Sequence, residues 1–340
     1  LADEHNLGEI YETLYPPPFI ISLYVVTALL TACGSSDSPT HMRPLAMDAD
    51  DTIVNSIRTS TIFRVAAIEV DYEVQTDGQI TNRIYEDNRK DIPFTIQFSR
   101  TEDGSAPSIA ITHGGGEATF DATNWRPQAG SYDKGNNEDG TREVFWSWEG
   151  TPVEYADGDT KMRYHMPVVL AHGSPDRLNF GIRRYAVIGL ETPALPTDIT
   201  SAEYEGDVRL QLFPKTDQGS DRSLWSDITL TANFANNTIK GTLDEWENRE
   251  DPNDNLSDAV YIIPEVEITD TGFTGTLAPG EECGACPKIV SSDITGTFYG
   301  PNADETGGTL SVEIDNTEGT IWEGEPNSVG VGVFFSKRIP

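Results

Sequence analysis

Basic residues are scarce: Lys and Arg number 23 against 56 Asp and Glu, for a formal charge of -33. Phosphate binding needs Lys and Arg to displace counterions, so the imbalance excludes a nucleic-acid partner. Such an acid excess keeps a surface soluble, as a saline habitat demands; the other reading is attraction for a cationic partner or a divalent metal. Cysteine is almost absent, with only Cys33, Cys283 and Cys286. A four-Cys zinc site is therefore excluded, although a two-Cys site completed by His or carboxylates stays open. The apolar run from Phe19 to Ala32 has signal-peptide length and falls short of the ~20 residues a bilayer span needs. Helical periodicity is nowhere sustained.

Catalytic patterns are missing too. His113-Gly114-Gly115-Gly116 lacks the Lys and following helix of a phosphate loop, which leaves His113 a solvated loop residue. The five histidines (His5, His41, His113, His165, His172) show no metal spacing, and His165 and His172 flank an apolar strand as core or rim residues. Asp251-Pro252-Asn253-Asp254-Asn255 begins like a calcium loop. It then places Leu256 where the turning Gly belongs and Ile262 where the bidentate Glu belongs, so it reads as an acidic loop. His172, Ser174 and Asp176 are sequence neighbours without a fold that aims them as a triad. No paired carboxylates stand out for glycoside hydrolysis. The expectation is a chain that is not an enzyme and holds no cofactor and no metal.

What is present begins with an address. The apolar run ends in Leu30-Thr31-Ala32-Cys33, followed by Gly34-Ser35-Ser36-Asp37. This resembles the lipobox of bacterial lipoproteins, in which the Cys is lipidated and becomes the mature N-terminus; the alternative is a buried strand that happens to end in Cys. The resemblance implies a signal peptide over 1–32, lipidation at Cys33, and a tether over 33–51 that is polar and flexible from Gly34 to Thr40. Gly34 in place of Asp after the Cys implies passage to the outer membrane. Residues 1–32 contain no Lys or Arg but four acids, Asp3, Glu4, Glu9 and Glu12. A signal peptide wants a basic start, so residues 1–18 are expected to be foreign to the natural leader. In an exported chain Cys283-Gly284-Ala285-Cys286 reads as a local disulfide in preference to free thiols.

The mature part reads as all-β, in two regions separated by the Pro-rich stretch Thr192 to Asp198. The first, 52–194, offers strands at 61–74, 92–99, 108–112, 143–148, 161–170 and 185–188, with a loop from Gly130 to Gly140. Trp146 and Trp148 share a strand face, as core in preference to a sticky patch. The second region, 201–340, alternates cleanly: Tyr204, Gly206, Val208, Leu210 and Leu212 face one way, with Glu203, Glu205, Asp207, Arg209 and Gln211 opposite. Strands are expected at 203–213, 225–234, 238–243, 259–267, 272–277, 292–299, 308–314 and 329–336, joined by short connections. About eight antiparallel strands close into a soluble barrel with a filled interior and polar exterior faces. Ile239-Lys240-Gly241-Thr242-Leu243, Phe273-Thr274-Gly275-Thr276-Leu277 and Ile294-Thr295-Gly296-Thr297-Phe298 repeat one pattern, with Gly on the face of the large residues. Gly weakens a strand unless side chains from elsewhere need its space; a bulge at each Gly is the alternative.

The segment Gly296-Thr297-Phe298-Tyr299-Gly300-Pro301-Asn302-Ala303-Asp304-Glu305-Thr306-Gly307-Gly308, with the final strand Gly330 to Arg338, resembles the closing strands of the transferrin-binding protein B barrel. The resemblance covers roughly 200–340 and implies a β-rich handle domain followed by an eight-stranded barrel, in a single lobe. It also implies a lipoprotein of the outer membrane, surface-exposed or periplasmic, that binds, without catalysis, an extracellular protein or an iron- or haem-carrying ligand. Binding residues in such a family lie in variable loops and do not carry over. Tyr299-Gly300-Pro301 is read as a turn that closes the barrel. The competing function is a structural or adhesive envelope lipoprotein with no captured ligand.

Overall fold

The computed structural model describes residues 52–58, 61–76, 80–83, 90–99, 106–136, 142–148, 162–173, 180–216, 222–248, 255–256, 259–281, 283, 286–316 and 327–340. Apart from helix α1 (Ile53–Arg58) and one turn of 3-10 helix, the regular structure is antiparallel β, in two ten-stranded sheets. No described helix is long and apolar enough to cross a membrane.

The first sheet is the handle. Its strands are β1 (Ile62–Thr76), β2 (Ile80–Arg83), β3 (Lys90–Ser99), β4 (Ser108–His113), β5 (Gly116–Phe120), β6 (Trp125–Arg126), β7 (Ser131–Asn136), β8 (Arg142–Ser147), β9 (His165–Gly173) and β10 (Phe180–Gly189). They run in the order β5-β4-β3-β1-β10-β9-β8-β7-β6, with β2 beside β1. Directly paired residues share a face. The register Ile96↔Phe63, Phe94↔Val65, Ile111↔Ile96 and Phe145↔Leu170 therefore puts one apolar set on the concave side. Phe120, Tyr132 and Phe145 meet there with ring centroids 6.1–6.4 Å apart, and Ile53 and Ile57 of α1 join the same core.

Ser131–Asn136 is a strand inside the stretch read as a loop from Gly130 to Gly140. Gly135 adopts φ +70° there, and a register shift between Asp133 and Asn136 accommodates it. The irregularity breaks the period-two pattern, which is why sequence periodicity does not reveal the strand.

The second sheet closes on itself. Its main strands are β11 (Ser201–Pro214), β12 (Arg222–Asn233), β13 (Thr238–Asn248), β15 (Tyr261–Thr269), β16 (Gly272–Gly275), β18 (Lys288–Tyr299), β19 (Glu305–Asp315) and β20 (Ser328–Arg338). Two short strands, β14 (Asn255–Leu256) and β17 (Ala278–Pro279), lie outside the ring. Each main strand pairs with the next, and β20 returns to β11 from Tyr204↔Arg338 to Pro214↔Ser328. The eight expected strands are all present, in up-and-down order.

The repeated glycines face inward. A Cβ on Gly296 would lie 2.3 Å from Phe273 Cζ, and one on Gly241 would lie 2.4 Å from Leu230 Cδ2. At Gly275 the nearest atom, Val266 Cγ1, would be 3.1 Å away. A register shift does sit beside Gly241, between Ile239 and Gly241, whereas Gly275 and Gly296 pair regularly.

Two expectations need correction. The exterior of the barrel is not polar throughout: outward-facing Phe213, Tyr299, Val329, Val331, Val333 and Phe335 are buried in the apolar core of the handle, because β9 and β10 pack across β19 and β20. A nearly continuous apolar run such as Val329 to Phe335 is what a strand covered on both faces requires. Nor are all connections short. One end of the barrel carries tight turns at 234–237, 270–271 and 300–304, whereas 215–221, 249–260, 276–287 and 316–327 connect strands at the other end.

Candidate functional site

The hairpin between β18 and β19 does more than turn the chain. Its start is held by an extended bridge, Glu191 to Tyr299, and by Thr192 N donating to Phe298 O at 2.9 Å. Thr192 Oγ1 donates to Gly300 O at 2.7 Å and Gly300 N to Leu190 O at 2.9 Å. The Pro-rich stretch between the two regions thus lies bonded along the barrel, with Leu195 and Ile199 against its core. Gly300 (φ +84°) and Ala303 (φ +54°) make the turn, and a Cβ on Gly300 would lie 2.6 Å from the Tyr164 ring. Tyr204 Oη donates to Ala303 O at 2.7 Å. Arg338 holds the turn through Asn302 O at 2.9 Å and Asp304 Oδ1 at 3.0 Å.

The deepest contact joins barrel to handle. Glu305, 1 % exposed, accepts Arg163 N at 2.6 Å, Tyr164 N at 2.8 Å and a hydrogen bond with His165 Nδ1 at 2.9 Å. Burial pushes its carboxyl up, but the hydrogen bond and charge of His165 and the two amides together hold it below the ordinary carboxylate value. The fully buried His165 ring stacks on Tyr299 with centroids 4.9 Å apart. Gly307 leaves its room: a Cβ there would sit 3.0 Å from His165 Nε2. The Tyr-Gly-Pro-x-Ala-x-Glu-x-Gly-Gly pattern is thereby accounted for as a clamp between handle and barrel, beyond the turn read from sequence. Glu305 stood unnoticed among 56 acids, because nothing local distinguishes a carboxylate whose donors lie some 140 residues away.

A second polar group rims the concave side of the handle. Glu69, 4 % exposed, bridges Lys90 and Arg184. Burial raises its carboxyl, but these two cations hold it below the ordinary value. Asp71 beside it is pushed up by burial and by Glu69. Glu143 takes Lys134 at 2.5 Å and lies 3.7 Å from His172 Nδ1. His113 accepts Gly115 N at 3.3 Å and is pushed down by burial and by Arg184. It is half-buried, not the solvated loop residue expected from its glycines. His165 is core and His172 is rim. Trp146 and Trp148 are half-buried against the handle core, Trp148 stacked 5.5 Å from Tyr185. Among the described residues, no cluster of three His, Cys, Asp or Glu side chains could hold a metal ion.

Among the described residues the barrel interior is packed with side chains. Tyr204, Phe273, Phe298 and Phe334 fill it, and a cavity of ≈ 20 Å³ remains near the long-connection end, lined by Leu210, Leu224, Trp246, Tyr261 and Val312 among others. That is room for about one water, against the several hundred Å³ of a ligand pocket. Tyr261 Oη donates to Pro287 O at 3.0 Å and Gly280 N to Val260 O at 2.8 Å, tying Gly280 and Pro287 to β15 and the residue before it. Between Gly280 and Pro287, Cys283 and Cys286 are bonded, with Cα atoms 5.5 Å apart. Cys33, Asp251 to Asp254, Ser174 and Asp176 lie outside the described residues.

Comparison with known proteins agrees with this architecture. Residues 195–338 match the family model described as the C-lobe and N-lobe beta barrels of Tf-binding protein B. A curated relative, transferrin-binding protein B of Neisseria meningitidis serogroup B (strain ATCC BAA-335 / MC58), is 32% identical over 118 residues, which is 32% of this chain and 15% of that protein. The chain therefore matches only a small part of that relative's length. Among solved structures, the isotype 1 protein of serogroup B Neisseria meningitidis is 16% identical, covers 80% of this chain and 44% of its own, and gives a TM-score of 0.38. The apo haemoglobin receptor HpuA from Kingella denitrificans is 13% identical over 83% of this chain and 87% of its own, with a TM-score of 0.33. Residues 195–338 of this chain thus match the β-barrels of Tf-binding protein B, over less than half of the chain.

Proposed function

We propose that this chain is a non-enzymatic binding protein of the bacterial outer-membrane surface, anchored through lipidated Cys33, that captures an extracellular iron-carrying protein. The observation that carries the reading is the match of residues 195–338 to the barrels of Tf-binding protein B, together with a curated relative named for binding transferrin. A filled interior directs any capture to the surface. The two barrel ends then divide the work. The tight-turn end is occupied by the clamp to the handle, so the end bearing connections 215–221, 249–260, 276–287 and 316–327 is the capture surface, as long loops on a rigid scaffold commonly are. These four connections carry acids throughout, which suits a partner with a basic contact face.

Immobilised full-length chain should retain transferrin or haemoglobin from solution, with the on-rate falling as salt rises. Replacing the 249–254 acids should weaken retention, whereas changes at the 234–237 turn should not. Failure to retain either iron carrier, or any protein from serum, would leave the structural envelope reading in its place.

A further inference from the structure

We propose that Glu305 and His165 form an acid-released latch: the ionised Glu305 of the barrel keeps the Met162–His165 corner of the handle closed on the β18–β19 hairpin, and its protonation opens that corner while both cores stay folded.

The geometry carries this inference. Glu305 is the first residue of β19, whereas its three donors, Arg163 N, Tyr164 N and His165 Nδ1, are consecutive in the handle. Arg163 N approaches Oε1, and the other two approach Oε2. A proton on either oxygen therefore confronts at least one amide that can only donate. His165 meets Oε2 through Nδ1, so it can relieve a proton there only as the tautomer whose Nδ1 carries no hydrogen. Its Nε2 already has no hydrogen-bond partner and the ring is 0 % exposed, so water offers no relief without opening.

The surrounding charges do not substitute for the latch. Arg163 stacks over the Tyr164 ring at 5.4 Å. Asp304 is taken by Arg338 at 3.0 Å, which holds the hairpin to the barrel side. Lys337, the cross-strand partner of Glu305, is exposed, and Glu191 is bridged to Tyr299 and acts on that ring's hydroxyl. Tyr164 and Tyr299 are both pushed up by burial and stay neutral throughout.

The opening is local because the rest of the contact, the hydrogen bonds of Leu190 and Thr192 to the hairpin and an apolar patch, does not titrate. Phe213, Val331, Val333 and Phe335 do not titrate and keep handle and barrel together. The sign follows from linkage. The carboxyl sits below its ordinary 4.5 while closed and returns to it when open. The latch is therefore at full strength above about pH 4.5 and is lost as pH falls through the lower, closed-state value.

Amide hydrogen exchange of the full chain, corrected for intrinsic rates, tests this between pH 7 and pH 3. Protection of peptides covering 162–166 and 299–306 should fall about tenfold to a hundredfold toward pH 3, while β12 peptides keep theirs. Glu305→Gln should show the loss already at pH 7. Retained protection of the corner at pH 3, or its loss only together with β12, overturns the latch in the unsubstituted protein, whatever the variant does. A folded Glu305→Gln chain as protected as the parent at pH 7 overturns it equally.

Discussion

Gly296→Val tests which face of the barrel strands looks inward. Gly296 pairs with Phe273 on β16 and Gly308 on β19. A Cβ there would stand 2.3 Å from Phe273 Cζ, 2.5 Å from Phe273 Cε1 and 2.8 Å from Phe334 Cζ. These rings cannot simply swing aside, because Phe273 sits 6.1 Å from both Phe298 and Phe334 and is 4 % exposed. Val would add two further methyl groups to that overlap. Overpacking of this kind costs about 1–3 kcal/mol, with at most ~1 kcal/mol returned by the better strand propensity of Val. Thr297→Val is the control. Thr297 points to the outer face, is half-buried, and changes by one hydroxyl, so the effect should stay within about 0.5 kcal/mol. Urea unfolding of both variants measures the difference as a shift in midpoint. Equal midpoints, or a larger loss at Thr297, would mean the strand faces are reversed.

Other outcomes follow from single contacts. Asp207, Asp227 and Asp244 stand directly opposite one another across β11, β12 and β13, and burial followed by neighbouring acids pushes Asp227 up. Asp227→Asn should raise stability by about 0.2–1 kcal/mol at pH 7. That advantage should shrink as pH falls through the raised folded value and vanish below the unfolded one; urea midpoints at pH 7 and pH 3.5 that differ from the parent equally would contradict it. Mass spectrometry of the non-reduced exported protein should find Cys283 and Cys286 bonded, whereas two alkylated thiols would refute the pairing. Cutting so short a loop should cost no more than about 2 kcal/mol, read as a change in melting midpoint. Cys33→Ala should leave membranes for the soluble fraction; undiminished partitioning would end the lipobox reading.

Local pattern determined much of the architecture. Period-two alternation from Glu203 to Phe213 is a property of consecutive residues, and all eight barrel strands were legible from it. So was the inward face of the repeated glycines, since a Gly between two large residues needs an external reason. The hairpin signature identified the barrel type because its glycines and Glu305 satisfy close approaches that few other residues permit.

What alternation could not show is which outward faces remain wet. Val329, Val331, Val333 and Phe335 are exterior residues of the barrel and interior residues of the molecule, because β9 and β10 lie across them. Ser131–Asn136 was hidden by Gly135, whose left-handed backbone interrupts the period that a window detects. His165, read from sequence as a core or rim residue, is core, yet its meaning lies in Glu305, on a strand formed some 140 residues later. Strand identity and facing are fixed by neighbours along the chain, through sterics and hydrophobic period. The partners of a buried charge, and which outward faces stay exposed, are set by long-range packing that only the tertiary structure decides.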